Sequence, residues 1–248
     1  MRRIVAVNGE RLLRTVAPTK ASVVALALAG CAVLGCHSYD DSPAASPSNA
    51  VTQGTVTQTP SGAGIASATV FTFTAQGFSA PGGGSLEYAW NFGDDITLGP
   101  VAPQTATMTH TYEKAGTYDI WVSATSSVGA VARGSVLGLR IVSLTGRWGI
   151  RDATGQLFME NTSITQNGAD LSGEEAHSDD RYWVTGKVSD PRRVVLTYTR
   201  LAREGPGPPP ESFTFTGDAD ERITAFSGAL TPGGSAKMVR CSQPSVCE

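Results

Sequence analysis

The sequence predicts an all-β protein built from two successive modules. Outside the N-terminus no long stretch shows the 3.6-residue apolar period of an amphipathic helix. Short segments instead alternate apolar and polar residues at period two. Glycine (28) and proline (14) are frequent enough to punctuate those segments with turns. A chain of 248 residues accommodates two domains of about 100 residues each.

Residues 1–36 are expected to be a targeting segment. Arg2, Arg3, Arg11, Arg14 and Lys20 precede the apolar run Ala21–Gly35, whose 15 residues fall short of the ~20 that a membrane-spanning helix needs. The run contains Leu28-Ala29-Gly30-Cys31, which resembles the lipobox of bacterial lipoprotein signal peptides. That resemblance implies acylation of Cys31 and a lipid anchor in a membrane, where two or three acyl chains hold far better than one. Cys36, ending "VLGC", is the alternative: its motif is weaker, but using it leaves Cys241 and Cys247 as an even pair. Removal of residues 1–35 takes 5 of the 19 basic residues and 1 of the 22 acidic ones. The remaining chain is acidic and carries no basic patch, so no nucleic-acid partner is expected.

Residues 37–64 are rich in Ser, Thr, Pro, Ala and Gly and offer little to bury, which reads as a flexible tether of roughly 30 Å. From residue 65 alternation begins. In "VFTFTA", Phe71, Phe73 and Ala75 share one face; in "LEYAWNFGDD", Leu86, Tyr88, Trp90 and Phe92 do the same. Four large apolar groups on one face require a second sheet above them, so Gly93-Asp94-Asp95 is expected to be the turn closing a core strand, not a metal or acid–base pair.

The "YAWNFGDD" segment, followed 14 residues later by "HTYEKAGTYDIWV", resembles the PKD (polycystic kidney disease) domain. Trp90, Phe92, Gly93 and Asp94 match its W-D-F-G-D-G strand end, while His110, Tyr112, Gly116 and Tyr118 match its H-x-Y-x-x-x-G-x-Y hairpin. Asn91 and Asp95 depart from the pattern. The resemblance implies an immunoglobulin-like β-sandwich over residues 65–143, of a kind that is typically non-catalytic in bacterial surface proteins. In "GTYDIWVSAT", Tyr118, Ile120, Val122 and Ala124 face inward, which puts Trp121 outside among Thr117, Asp119 and Ser123. Such an indole either packs against the second module or offers a platform to a sugar ring or protein partner.

Residues 144–248 show short β-like segments separated by Asn167-Gly168, Asp190-Pro191, "GPGPPP" (205–210) and Pro232-Gly233-Gly234. This predicts an antiparallel β-meander or small β-barrel. Gly146-Arg147-Trp148 resembles the G-x-W opening of calycin-type barrels (lipocalins and avidins), which implies a late arginine, here Arg240, covering Trp148. A closed barrel would be lined by Trp183, Phe213 and Phe226, either around an apolar ligand or as a simple filled core. The acidic run Glu174, Glu175, His177, Asp179 and Asp180 is expected to be a solvated loop between strands. Cys241 and Cys247 are expected to close a small disulfide loop that anchors the tail.

No nucleophile elbow, zinc-helix, phosphate-loop or dinucleotide signature occurs, so neither enzyme activity, metal nor cofactor is expected. The sequence therefore points to a membrane-anchored envelope lipoprotein with a non-catalytic binding or display role, toward carbohydrate or another surface protein. Capture of a small apolar ligand inside the barrel is the alternative.

Overall fold

Alternation along the chain produces two all-β bodies whose apolar faces turn inward. The computed structural model describes residues 49–101, 105–177, 180–189, 191–201, 211–243 and 246–247. Cys31, Cys36 and the first part of the expected tether lie outside the described residues, as do Asp179, Asp190 and the 205–210 turn.

The first body is a sandwich. One sheet has the order β1 (Thr55–Thr59), β3 (Phe71–Gln76), β6 (Thr107–His110). The other runs β2 (Gly64–Ile65), β8 (Val131–Val142), β7 (Gly116–Ser126), β4 (Leu86–Asn91), β5 (Thr97–Val101), and only its β2–β8 pair is parallel. Phe71, Phe73, Trp90, Phe92, Tyr112, Ile120 and Val122 fill the space between the sheets. Burial of each such ring or branched side chain stabilises the fold by about 1.5–3 kcal/mol before entropy is charged against it.

The expected tether of residues 37–64 is corrected in its second half. Thr55–Thr59 pairs in register with β3, and Val51 is buried. As an edge strand it carries almost no hydrophobic signal: of "TVTQT", only Val56 packs onto the core, and partly.

The second body is a closed up-and-down barrel of eight strands: β9 (Gly146–Asp152), β10 (Leu157–Asn167), β11 (Asp170–His177), β12 (Asp180–Ser189), β13 (Arg193–Arg200), β14 (Ser212–Ala219), β15 (Ala225–Thr231) and β16 (Ser235–Gln243). Each pairs antiparallel with the next, and β16 pairs with both β15 and β9, which removes every free edge. A two-residue β17 (Val246–Cys247) folds back on β16, and Cys241 and Cys247 are joined by a disulfide. The barrel interior is occupied by Trp148, Ile150, Ile164, Val184, Leu196, Tyr198, Phe215, Phe226 and Met238.

The two bodies meet through the segment around β2. Ala63 and Ile65 belong to the barrel's core cluster, together with Leu144. Gln166 Nε2 donates to the Ala66 carbonyl at 2.7 Å, Thr69 Oγ1 donates to the Pro191 carbonyl at 2.8 Å, and the Ala63 amide donates to the Glu221 carbonyl at 2.7 Å.

Candidate functional site

On the sandwich, inward residues of β7 are held by the core, so the odd-numbered residues from Thr117 to Ser123 must face out. Trp121 lies opposite Asn91 on β4 and Ser135 on β8, and Asn91 in turn lies opposite Thr97 on β5. Asn91 Nδ2 donates to Thr97 Oγ1 at 3.2 Å. The indole is 45 % exposed, so the barrel does not cover it. It stands in a row of neutral hydrogen-bonding groups: Thr97, Asn91 and Ser135.

Asp94 and Asp95 form the turn. Gly93 and Asp95 adopt left-handed φ values of 78° and 67°. A Cβ at position 93 would stand 2.7 Å from the Asp119 carbonyl oxygen, so only glycine fits there. Asp94 Oδ2 lies 2.7 Å from His110 Nε2, and the His110 ring stacks on Phe92 at 4.2 Å and meets Tyr112 edge-on at 4.6 Å. The Tyr112 hydroxyl donates to the Phe92 carbonyl at 3.0 Å, and that of Tyr118 to the Lys114 carbonyl at 2.9 Å. The motif residues thus tie the strand end to the 110–118 hairpin. Among the described residues, no group of three or more His, Cys, Asp or Glu is placed to hold a metal ion.

At the barrel end, Trp148 is buried, and its Nε1 donates to the Leu144 carbonyl at 2.7 Å. Arg240 lies over the indole, its Cζ 4.9 Å from the ring centroid, and donates to the carbonyls of Ser143 (2.5 Å) and Thr145 (3.4 Å). Burial, with the neighbouring Arg140 adding repulsion, lowers the pKa of its guanidinium from the ordinary value. This is the tryptophan–arginine contact that the G-x-W resemblance implied.

Two expectations are corrected here. Trp183 does not line the barrel: it is 46 % exposed on the outer wall, while Tyr182, Val184 and Val188 point in. Phe213 does pack inside, stacked on Tyr198 at 4.6 Å, and Phe226 meets Trp148 edge-on at 5.8 Å.

The acidic run is largely strand, not a solvated loop, because β11 continues to His177. Glu174 points outward, whereas Glu175 is only 1 % exposed. Its Oε1 accepts the amides of Glu160 (3.2 Å) and Asn161 (3.1 Å). A register shift between Met159 and Thr162 on β10 frees those two amides from the ladder, and the carboxylate replaces their lost partners. Asp180 accepts from Arg200 Nη2 at 2.8 Å. Among the described residues, Glu174, Glu175 and Asp180 are dispersed between the wall, the interior and an ion pair. The side chain of His177 and all of Asp179 lie outside the described residues.

Residues 52–140 match the family model described as "PKD domain". No curated protein matches the chain. Among solved structures, a chain from work on the "Structural basis for the promiscuous specificity of the carbohydrate-binding modules from the beta-sandwich super family" is similar, with a TM-score of 0.35 and 15% identity, covering 82% of this chain and 94% of that one. The sandwich is thus a PKD domain with an immunoglobulin-like fold, followed in the same chain by an antiparallel eight-stranded barrel.

Proposed function

We propose that this protein is a lipid-anchored binding protein of the bacterial cell envelope, non-catalytic, whose PKD domain presents Trp121 to a polysaccharide or to another surface protein. The observation that carries this reading is the exposed indole in its row of neutral polar groups. An indole face gives a large stacking area, and the surrounding amide and hydroxyls give directional hydrogen bonds. The barrel core is filled by its own rings and aliphatic side chains, which favours a surface site over capture of an apolar molecule inside.

The full chain, purified in mild detergent, should be retained on insoluble polysaccharide or peptidoglycan. Trp121→Ala should weaken retention about tenfold, the equivalent of ~1.4 kcal/mol of lost stacking. Retention unchanged in the variant would overturn Trp121 as the contact.

The anchor rests on the lipobox-like Leu28-Ala29-Gly30-Cys31. In a bacterial host, Cys31→Ser should release the protein from the membrane fraction, and mass spectrometry of the wild type should find the acyl group on Cys31. An acyl group on Cys36 would move the processing site, and a wild type without any would overturn the anchor.

A further inference from the structure

The barrel's outer wall carries a second feature. Following the strand register outward from β10, Thr165 lies opposite Ser172, Ser172 opposite Thr185, Thr185 opposite Thr197, Thr197 opposite Thr214, and Thr214 opposite Thr231. Six consecutive strands thus contribute one hydroxyl each to a single row, at the ~4.8 Å spacing of neighbouring strands. No charged side chain interrupts it. Thr197 Oγ1 and Thr214 Oγ1 are 3.2 Å apart and hydrogen-bonded. On one side of the row stands Trp183, opposite Glu174 and Thr199; on the other, Asp170 and Lys187 neutralise one another at 3.5 Å.

Two shallow depressions lie along the β10–β13 part of this row. One depression, of ≈ 300 Å³, is lined by Ser163, Thr165, Ser172, Gly173, Glu174 and Trp183. A second, of ≈ 570 Å³, is lined by Thr185, Gly186 and Thr197 together with the Asp170–Lys187 pair and Val195, among others. Both strands carry a glycine at an inward-facing position behind these depressions, Gly173 at the parity of Leu171 and Glu175, Gly186 at that of Val184 and Val188. A Cβ on Gly173 would sit 2.1 Å from the Ser163 carbonyl oxygen, and one on Gly186 would sit 2.2 Å from that of Val195.

We infer that this hydroxyl-lined groove across β10–β13 binds an uncharged polysaccharide chain, with one sugar ring stacked on Trp183. The inference rests on the polysaccharide reading proposed above and adds to it a site on the other domain. A hydroxyl row supplies one donor and two acceptor positions per residue, which suits a chain of alternating hydroxyls. The exposed indole supplies the apolar face that a sugar's C–H groups stack on. Protein partners fit less well, because serine and threonine are under-represented at protein–protein hot spots. Acidic polymers gain nothing from a row without cationic groups beside an already neutralised Asp170–Lys187 pair.

The test uses the full chain in mild detergent and the variants Trp183→Ala, Thr185→Val and Trp121→Ala. Affinity electrophoresis would be run in mixed-linkage β-glucan, dextran and polygalacturonate, with retention on cellulose and chitin alongside. Binding to at least one neutral polymer should fall about tenfold in Trp183→Ala and about fivefold in Thr185→Val, with unchanged thermal melting. Full binding by both barrel variants, with loss in Trp121→Ala, would overturn the groove while leaving the Trp121 reading standing. Loss in the barrel variants alone would support the groove and remove Trp121 as a contact. Binding only to polygalacturonate, or to none of the polymers, would overturn the groove.

Discussion

Tyr198 is buried at the centre of the barrel, with its hydroxyl 3.1 Å from Thr162 Oγ1 and its ring stacked on Phe213. Burial raises its pKa well above the ordinary 10.0, and the nearby Glu175 charge adds to that. Tyr112 in the sandwich is raised in the same way, by burial first and then by Asp94 and Tyr118. Each phenol is therefore neutral in the folded protein at pH values where an unfolded chain would ionise it. Their contribution to stability is full below pH ~10 and is lost as pH rises from there toward the raised folded values. Each should steepen the alkaline loss of stability, by a slope that grows above pH ~10 toward at most about 1.4 kcal/mol per pH unit. Denaturant titrations from pH 8 to 11 on wild type and Tyr198→Phe would measure this. The variant should lose about 1 kcal/mol at pH 8 for the Thr162 hydrogen bond, yet show a shallower alkaline slope. An unchanged slope would show that Tyr198 ionises alike in both states.

At the scale of elements, what the sequence showed followed from how many faces of a strand are buried. "VFTFTA" and "LEYAWNF" were legible because one face of each is apolar and the other is not, so strand, phase and closing turn read together. The phase of "RYWVTGKVS" is ambiguous at its start, because Tyr182 and Trp183 are adjacent aromatics and either fills a core position. The signal that decides it lay two residues on: Val184 and Val188 share the parity of Tyr182, which turns Trp183 outward. The hydroxyl row was invisible for a different reason. Its members lie on six strands and align only through registers that no single segment encodes. Burial of Glu175 was equally hidden, since its partners are amides freed by a register shift on another strand. The PKD motif, by contrast, was local enough to read directly, because Trp90 to Asp94 and His110 to Tyr118 carry their own turn and hairpin chemistry.

At the scale of the whole molecule, the sandwich and the barrel share core residues instead of merely touching. Ile65 lies on the sandwich strand β2, hydrogen-bonded in register with β8, yet its side chain belongs to the barrel's core cluster. The Thr69 hydroxyl accepts the Ile65 amide at 2.8 Å and donates to the Pro191 carbonyl at 2.8 Å, joining the two bodies through one side chain. Gln166 adds a second clamp: its Oε1 accepts the Leu144 amide at 2.8 Å while its Nε2 reaches the Ala66 carbonyl. Arg140 on β8 donates to the Arg222 carbonyl at 2.9 Å, a third link. An interface built this way should make unfolding cooperative across both bodies, although each has its own core. Calorimetry should show a single transition whose van't Hoff and calorimetric enthalpies agree. Ile65→Ala should cost about 2–5 kcal/mol and lower that transition as one; Ile65→Val, costing about 0.5–1.5 kcal/mol, serves if the alanine variant does not fold. Two resolved transitions in the wild type, or an Ile65→Val variant in which only one body melts earlier, would show that the domains fold independently. Trp121 and the Trp183 groove would then be free to reorient, and one rigid polymer would not bridge them in a fixed geometry.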